Sequence, residues 1–143
     1  MLIFKSPQSQ PDWDKLFDLR YRVLREPLGK ERGSEKTPED ESAEQIMMFE
    51  GEDLVGVARI DFLSTERCQV RFVAIESHRQ GLGYGKKLML HVEKVAKEKG
   101  FIEIVLHARD YALPFYQGLN YDLHGESYKL FGVLQHFEMS KKI

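Results

Sequence analysis

Between Val70 and Ala108 the chain passes through a β-branched run, a glycine-rich turn, a long amphipathic stretch and a second β-branched run, an order that admits few folds. Val70-Arg71-Phe72-Val73-Ala74-Ile75 reads as a strand, and Glu76 to Gln80 is polar and turn-like. From Gly85 onward Leu88, Met89, Val92, Val95 and Ala96 recur at helical spacing, with Gly100 as a C-terminal stop. Ile102-Glu103-Ile104-Val105-Leu106-His107-Ala108 then reads as another strand. A strand-helix-strand crossover of this kind predicts a parallel pair, residues 70 to 76 beside residues 102 to 108.

The rest of the chain adds more strands than helices. A short strand at Leu2 to Lys5 precedes an amphipathic helix from about Asp12 to Arg25, with Leu16, Leu19, Tyr21 and Val23 as buried candidates and Asp12 or Asp14 at its start. Ile46 to Glu50 and Leu54 to Phe62 read as a hairpin closed by Gly51-Glu52-Asp53, and Cys68 to Glu76 follows as a third long strand. A short helix is expected near Leu113 to Gln117, with terminal strands near Tyr121 to Glu126 and Leu134 to Met139. The fold class is therefore α/β: a mixed, mostly antiparallel twisted sheet with a central parallel strand pair and flanking helices. A chain of 143 residues fits one domain, 1–143, and can bury a core without disulfides or structural metal.

The turn Arg79-Gln80-Gly81-Leu82-Gly83-Tyr84-Gly85-Lys86 occupies the strand-to-helix junction. A helix opens with backbone N–H groups that lack an intrahelical acceptor and with the positive end of its dipole, so an anion is favoured there. A Cβ at Gly81, Gly83 or Gly85 would hold a phosphate off the amides, forbid a positive φ or push the helix off the sheet. Arg79, Lys86 and Lys87 add cations for the outer phosphate oxygens. The turn lacks the Gly-Lys-Ser/Thr ending of a P-loop, and its glycine spacing departs from the dinucleotide G-x-G-x-x-G pattern.

Gln80, Gly83 and Gly85 instead fill Gln/Arg-x-x-Gly-x-Gly/Ala, and in this the chain resembles the GNAT superfamily of N-acetyltransferases, whose acyl-CoA signature this is. Downstream, residues 102 to 108 look like that family's fifth strand. Ala112-Leu113-Pro114-Phe115-Tyr116-Gln117-Gly118-Leu119-Asn120-Tyr121 is similar to its A-x-x-F-Y-x-x-x-G-F/Y segment, and His136-Phe137-Glu138-Met139 resembles the H-x-x-M close of some small members. The resemblance implies a GNAT-like acyl-CoA N-acyltransferase fold in which the two parallel strands splay and the pantetheine arm of acetyl-CoA enters the opening. It makes Arg79, Gln80, Gly81, Leu82, Gly83, Tyr84, Gly85 and Lys86 a diphosphate site, with Val73, Ala74 and Ile75 binding the pantetheine through their backbone. Many relatives carry asparagine seven residues before the family tyrosine, against the pantetheine; Arg109 stands there in this chain, either forming a salt bridge or a CoA-phosphate contact in its place or merely exposed.

Composition narrows the function classes. A net charge of −2 argues against broad nucleic-acid binding. No apolar run approaches the roughly 20 residues that span a bilayer, and the start lacks a signal peptide's apolar core, so no membrane partner and a cytoplasmic location are expected. The single Cys68 has no disulfide or cysteine-zinc partner and reads as a structural thiol, and the scattered histidines imply no metal. Residues Glu35 to Glu44 are acidic, with Glu35, Glu39, Asp40, Glu41 and Glu44 against Lys36 alone; they read either as a solvated loop or as an acidic rim that attracts a cationic amine.

Acetyl transfer needs a free amine, yet an alkylammonium has a pKa about three units above neutrality, so a base or water relay must remove a proton. Histone-acetylating relatives use a glutamate on the strand before the loop, and the matching position here is Gln69, which accepts no proton at neutral pH. Glu66, Glu76, His107 and His136 are the candidates for a relay, with His136 favoured by its terminal-strand setting. Tyr116 matches the family tyrosine whose phenol approaches the CoA sulfur and protonates the departing thiolate. The expected activity is direct N-acetyl transfer from acetyl-CoA as cosubstrate to a small-molecule or peptide amine, by a monomer or homodimer. A CoA-binding sensor with the same fold and little turnover is the alternative, followed by a nucleotide-binding domain using the same cradle.

Overall fold

The computed structural model describes residues 1–143. A seven-stranded sheet runs in the order β1 (Leu2–Lys5), β2 (Glu44–Glu50), β3 (Asp53–Phe62), β4 (Arg67–Ile75), β5 (Glu103–Arg109), β7 (Leu134–Lys142), β6 (Asp122–Leu130). All neighbours are antiparallel except β4 and β5, as the crossover between them requires.

Helix α1 (Gln10–Leu24) covers one face of the sheet and α2 (Tyr84–Glu98) the other; α3 (Leu113–Gln117) follows β5. Strand β2 is buried along its centre because alternate side chains serve the two faces: Ile46 and Met48 join the core under α2, while Met47 and Phe49 pack with Leu16 and Leu19 of α1. Under α2, Leu88, Met89, Val92 and Ala96 are buried at the helical spacing read from the sequence. Each of the larger ones contributes about 1.5–3 kcal/mol.

Element ends moved by a few residues, each for a local reason. Helix α1 starts at Gln10 because Ser9, rather than Asp12 or Asp14, is its N-cap, its hydroxyl accepting from the Asp12 N–H at 3.3 Å. Val23 is only half-buried. The last two strands run on to Leu130 and Lys142, beyond the stretches expected from the sequence, because they pair with each other as far as Ser140 and β7 continues along β5 to Lys142.

The parallel pair forms, but over a shorter span than the sequence pattern predicts, with the splay that the resemblance implies. Pairing runs only from Arg67↔Glu103 to Val70↔Leu106, so residues 71 to 75 diverge from β5 instead of lying along it. The cause sits at Phe72. Val57 pairs with Ala74 and Arg59 with Arg71, setting two residues of β4, Phe72 and Val73, against Ala58 alone of β3, and Phe72 takes a φ of 53° at this bulge. Beyond it β4 still follows β3, while β5 stays paired to β7 as far as Arg109↔His136. The two strands splay into a V.

An interior polar cluster anchors the base of this V. Arg20 and Arg59 are fully buried, and Asp40 Oδ1 accepts from both, at 2.9 and 3.0 Å. Asp61 takes two further bonds from Arg59 at 2.6 and 2.8 Å. Burial opposes ionisation of Asp40, but the Thr37 N–H and the two guanidiniums outweigh it and hold its carboxyl below the usual range. The acidic segment is thus no rim for a ligand: Glu35 and Asp40 point inward, Glu44 pairs with Lys99, and only Glu39 and Glu41 are simply solvated.

Candidate active site

Two cavities meet inside the V. The larger, about 1050 Å³, is a groove lined by Val73, Ala74 and Ile75 of β4, by Gln80, Gly81, Gly83, Gly85 and Lys86 of the loop, and by α3. The smaller, about 180 Å³, lies between the splayed strands and is closed by Arg25, Tyr128 and His136. Leu24, Val73, Tyr111, Ala112 and Tyr116 line both.

The loop end of the groove is built from main chain. Gly81 and Gly83 have φ values of 77° and 89°, which L side chains seldom adopt. That geometry leaves the N–H groups of Gly81 to Lys86 without a backbone acceptor, the first bond of the turn being Lys87 N–H to Gly83 O at 3.3 Å. Gly85 serves packing instead, since a Cβ there would meet the Phe115 ring at 3.2 Å. Gln80 ties the loop to its strand by donating to Ile75 O at 3.0 Å.

Not every cation of the loop is free for an anion. Arg79 pairs with Glu50, which also accepts from Tyr84 Oη at 2.6 Å. Arg79 therefore braces the loop against β2, while Lys86 faces the groove. Leu82 is exposed at the loop tip, and neither it nor Tyr84 lines the groove. Arg109, expected from the sequence beside the cofactor, lines the smaller cavity and forms no salt bridge; its guanidinium lies 5.4 Å from the centre of the Tyr111 ring.

Tyr116 stands at the junction of the two cavities, edge-on to Phe115 and Tyr121. Burial pushes its phenol well above the usual value, so it carries its proton at neutral pH. His136 lines the small cavity, stacked at 4.7 Å on Tyr128. Its Nδ1 lies 2.9 Å from Leu134 O and so bears the proton it donates, leaving Nε2 as the basic nitrogen. Burial, aided by Arg109 and Arg25, lowers its pKa against the pull of that bond, which keeps the ring neutral at physiological pH.

Of the other base candidates, His107 also lines this cavity, with Nδ1 at 2.8 Å from Ser127 Oγ, as does Gln69. Glu76 does not: both of its oxygens accept from Arg22, at 2.9 and 3.1 Å. Glu66 lies at the closed end of the V, its carbonyl accepting from Ile102 N–H. Sequence reasoning missed Arg25, Arg71, Tyr111 and Tyr128 as cavity residues. A signal existed for Arg71, a charge inside an otherwise apolar strand run, whereas Tyr128 arrives through a hairpin longer than expected.

Cys68 is buried in the core under α2, its thiol 3.8 Å from Glu103 O and its pKa pushed up to about 11 by burial. It lines neither cavity.

A splayed parallel pair beside a glycine loop with open amides defines the class of fold. The model of the acetyltransferase (GNAT) family matches residues 13–121, and the chain belongs to that family. It is 32% identical over 102 residues to the uncharacterised N-acetyltransferase YjcF of Bacillus subtilis (strain 168), covering 71% of this chain and 72% of that protein. Among solved structures, a GNAT family acetyltransferase from Elizabethkingia anophelis with acetyl-CoA bound superposes with a TM-score of 0.79 at 14% identity, covering 99% of this chain and 98% of the other. An aminoglycoside 6'-N-acetyltransferase complexed with coenzyme A gives 0.78 at 18% identity, with 98% and 96% covered. No helix is long and apolar enough to cross a membrane.

Proposed function

We propose that this chain moves an acetyl group from acetyl-CoA directly to the nitrogen of a primary amine. The junction carries the reading: a thioester entering along the groove and an amine in the small cavity would meet at Val73 and Tyr116, which line both. The open amides of Gly81 to Lys86 take the diphosphate, with the Lys86 ammonium on its outer oxygens. The pantetheine arm adds to the free edge of β4 at Val73, Ala74 and Ile75 like a further strand, and a main-chain N–H there polarises the thioester carbonyl. The acetyl-CoA held by the Elizabethkingia anophelis relative supports this donor.

His136 Nε2, directly or through one water, removes a proton from the ammonium, and the freed lone pair attacks the carbonyl carbon. The C–S bond of the tetrahedral adduct then breaks, Tyr116 protonates the departing thiolate, and the proton still on nitrogen returns to the phenolate. The products are an N-acetyl amide and free CoA thiol. The inert setting of Cys68 supports direct transfer, because a buried thiol of raised pKa away from both cavities is a poor acyl carrier.

The test is a panel of primary amines with acetyl-CoA, read as free thiol and as acetylated product by mass spectrometry. Stoichiometric thiol and amide, with the intact mass of the protein unchanged, are expected. Acetyl-CoA binding with no thiol release across the panel would instead favour a CoA-binding sensor, the reading that the non-ionisable Gln69 at the cavity supports.

A further inference from the structure

The guanidiniums facing the small cavity have too few carboxylates to match them. Arg25 comes from the end of α1, Arg71 from the bulge of β4 and Arg109 from the end of β5; with His107 and His136 they form its polar wall, and no Asp or Glu lines it. Arg25 is only 9% exposed and donates Nε to Ser34 O and Nη1 to Leu24 O, both at 3.2 Å, leaving Nη2 without an acceptor in the protein. The only acid paired with Arg71 is Asp61 at 3.6 Å, which already takes two shorter bonds from Arg59. Arg109 has no acid partner and lies over Tyr111.

The nearby acids are occupied or turned away. Glu35 accepts from Gly33 N–H at 2.7 Å, and Glu138, cross-strand from His107, lies outside the lining. Burial, with the neighbouring Arg71, disfavours the charge on Arg25, and the opposing pull of Tyr128 and Glu35 does not make up the difference. The chain supplies Asp40 and Asp61 to the buried Arg20 and Arg59 yet supplies nothing equivalent here. Arg25 is sequestered while Arg71 and Arg109 are partly exposed; a sequestered charge needs a counter-charge, and a cavity open to a ligand can take it from that ligand.

We infer that the acceptor amine carries its own anionic group, a carboxylate or a phosphate, held by Arg25, Arg71 and Arg109 while its nitrogen reaches toward Tyr116. This deepens the acetyl-transfer reading above and rests on it. The phosphates of CoA do not supply the anion, because the loop that receives them lines only the groove. A volume of about 180 Å³, room for about six waters, suits a compact molecule of amino-acid size. A polycation would meet like charge on three sides.

Matched acceptors differing only in the anion test this: phenylalanine against phenethylamine and lysine against cadaverine for carboxylate, phosphoethanolamine against ethanolamine for phosphate. The anionic member of at least one kind of pair is expected to have a kcat/KM about tenfold higher or more, the worth of one charge-assisted hydrogen bond, with Arg109→Met reducing the gap to about twofold, chiefly through KM. Arg109→Lys should restore part of it. Arg109 has no acid partner in the fold but lies over Tyr111 and helps lower the pKa of His136, so the melting temperature, acetyl-CoA affinity and pH profile of its variants check that only the acceptor side has changed. Equal or faster transfer to the uncharged-tail members, or a preference that survives Arg109→Met, overturns the inference. If no amine is acetylated, the acetyl-transfer reading falls instead, and calorimetric titration of the same pairs into the protein–CoA complex decides the inference by itself. Binding confined to anionic members and weakened by Arg109→Met upholds it; equal binding, or none, overturns it.

Discussion

The groove and the small cavity meet at Tyr116 but are made of different material. The groove presents backbone: open amides in the glycine loop and the free edge of β4, with side chains that need only be compact. The cavity presents side chains, arginine, histidine and tyrosine, gathered from α1, β4, β5, β6 and β7. A carrier common to many enzymes can be gripped by features every polypeptide has, whereas an acceptor peculiar to one enzyme needs chemistry that only particular residues supply. The contrast also says where substitutions should be tolerated: widely along the groove provided the backbone path is kept, narrowly in the cavity.

The largest expected effect tests the groove. Gly85→Glu places an anion at the diphosphate and a side chain against Phe115, and acetyl-CoA affinity measured by calorimetry should fall about 1000-fold, the scale of a like-charge contact of several kcal/mol. Unchanged affinity would mean the carrier is gripped elsewhere. Tyr116→Phe, which removes only the phenol at the junction, should lower kcat about 100-fold with little change in acetyl-CoA affinity. Full activity in that variant would strip Tyr116 of its role as acid.

His136→Gln should lower kcat/KM about tenfold, since a water can still relay the proton to solvent. Its pH profile is more informative. Only the neutral ring accepts a proton, and burial sets its pKa below the ordinary 6.5, so wild-type kcat/KM should rise through an inflection below that value as pH increases. The variant should lose that inflection and keep any rise due to the amine; an inflection that persists assigns the base elsewhere. The smallest effect sharpens the contrast from the groove side: Ile75→Val keeps the main chain and removes one methylene, so acetyl-CoA affinity should change by no more than about threefold.

The same contrast explains how much of the molecule was legible in the sequence. The crossover, the glycine loop and α3 were readable because local patterns dictate them: β-branched runs, helical spacing from Leu88 to Ala96, and glycines at the junction. The extent of the parallel pairing was not legible in local pattern, because it turns on a one-residue bulge at Phe72 that no periodicity announces, and only the family resemblance implied the splay. Nor was the fate of the acidic segment. Whether Asp40 faces water or two buried arginines depends on Arg20 and Arg59, which reach it from elements 20 and 19 residues away in sequence. The cavity was the least legible part, since its arginines are charged residues that a local reading assigns to solvent, and only the splay of β4 and β5 turns them toward one another.

Phe72 links regions that otherwise look independent. Its ring lies 4.3 and 4.8 Å from the guanidiniums of Arg20 and Arg59 in the interior, and 5.6 and 5.0 Å from those of Arg25 and Arg71 at the cavity. One aromatic plate is thus a party wall between the scaffold's permanent ion cluster and the chamber that awaits a guest. A substitution in the interior salt links should therefore disturb the cavity wall as well as the stability of the fold.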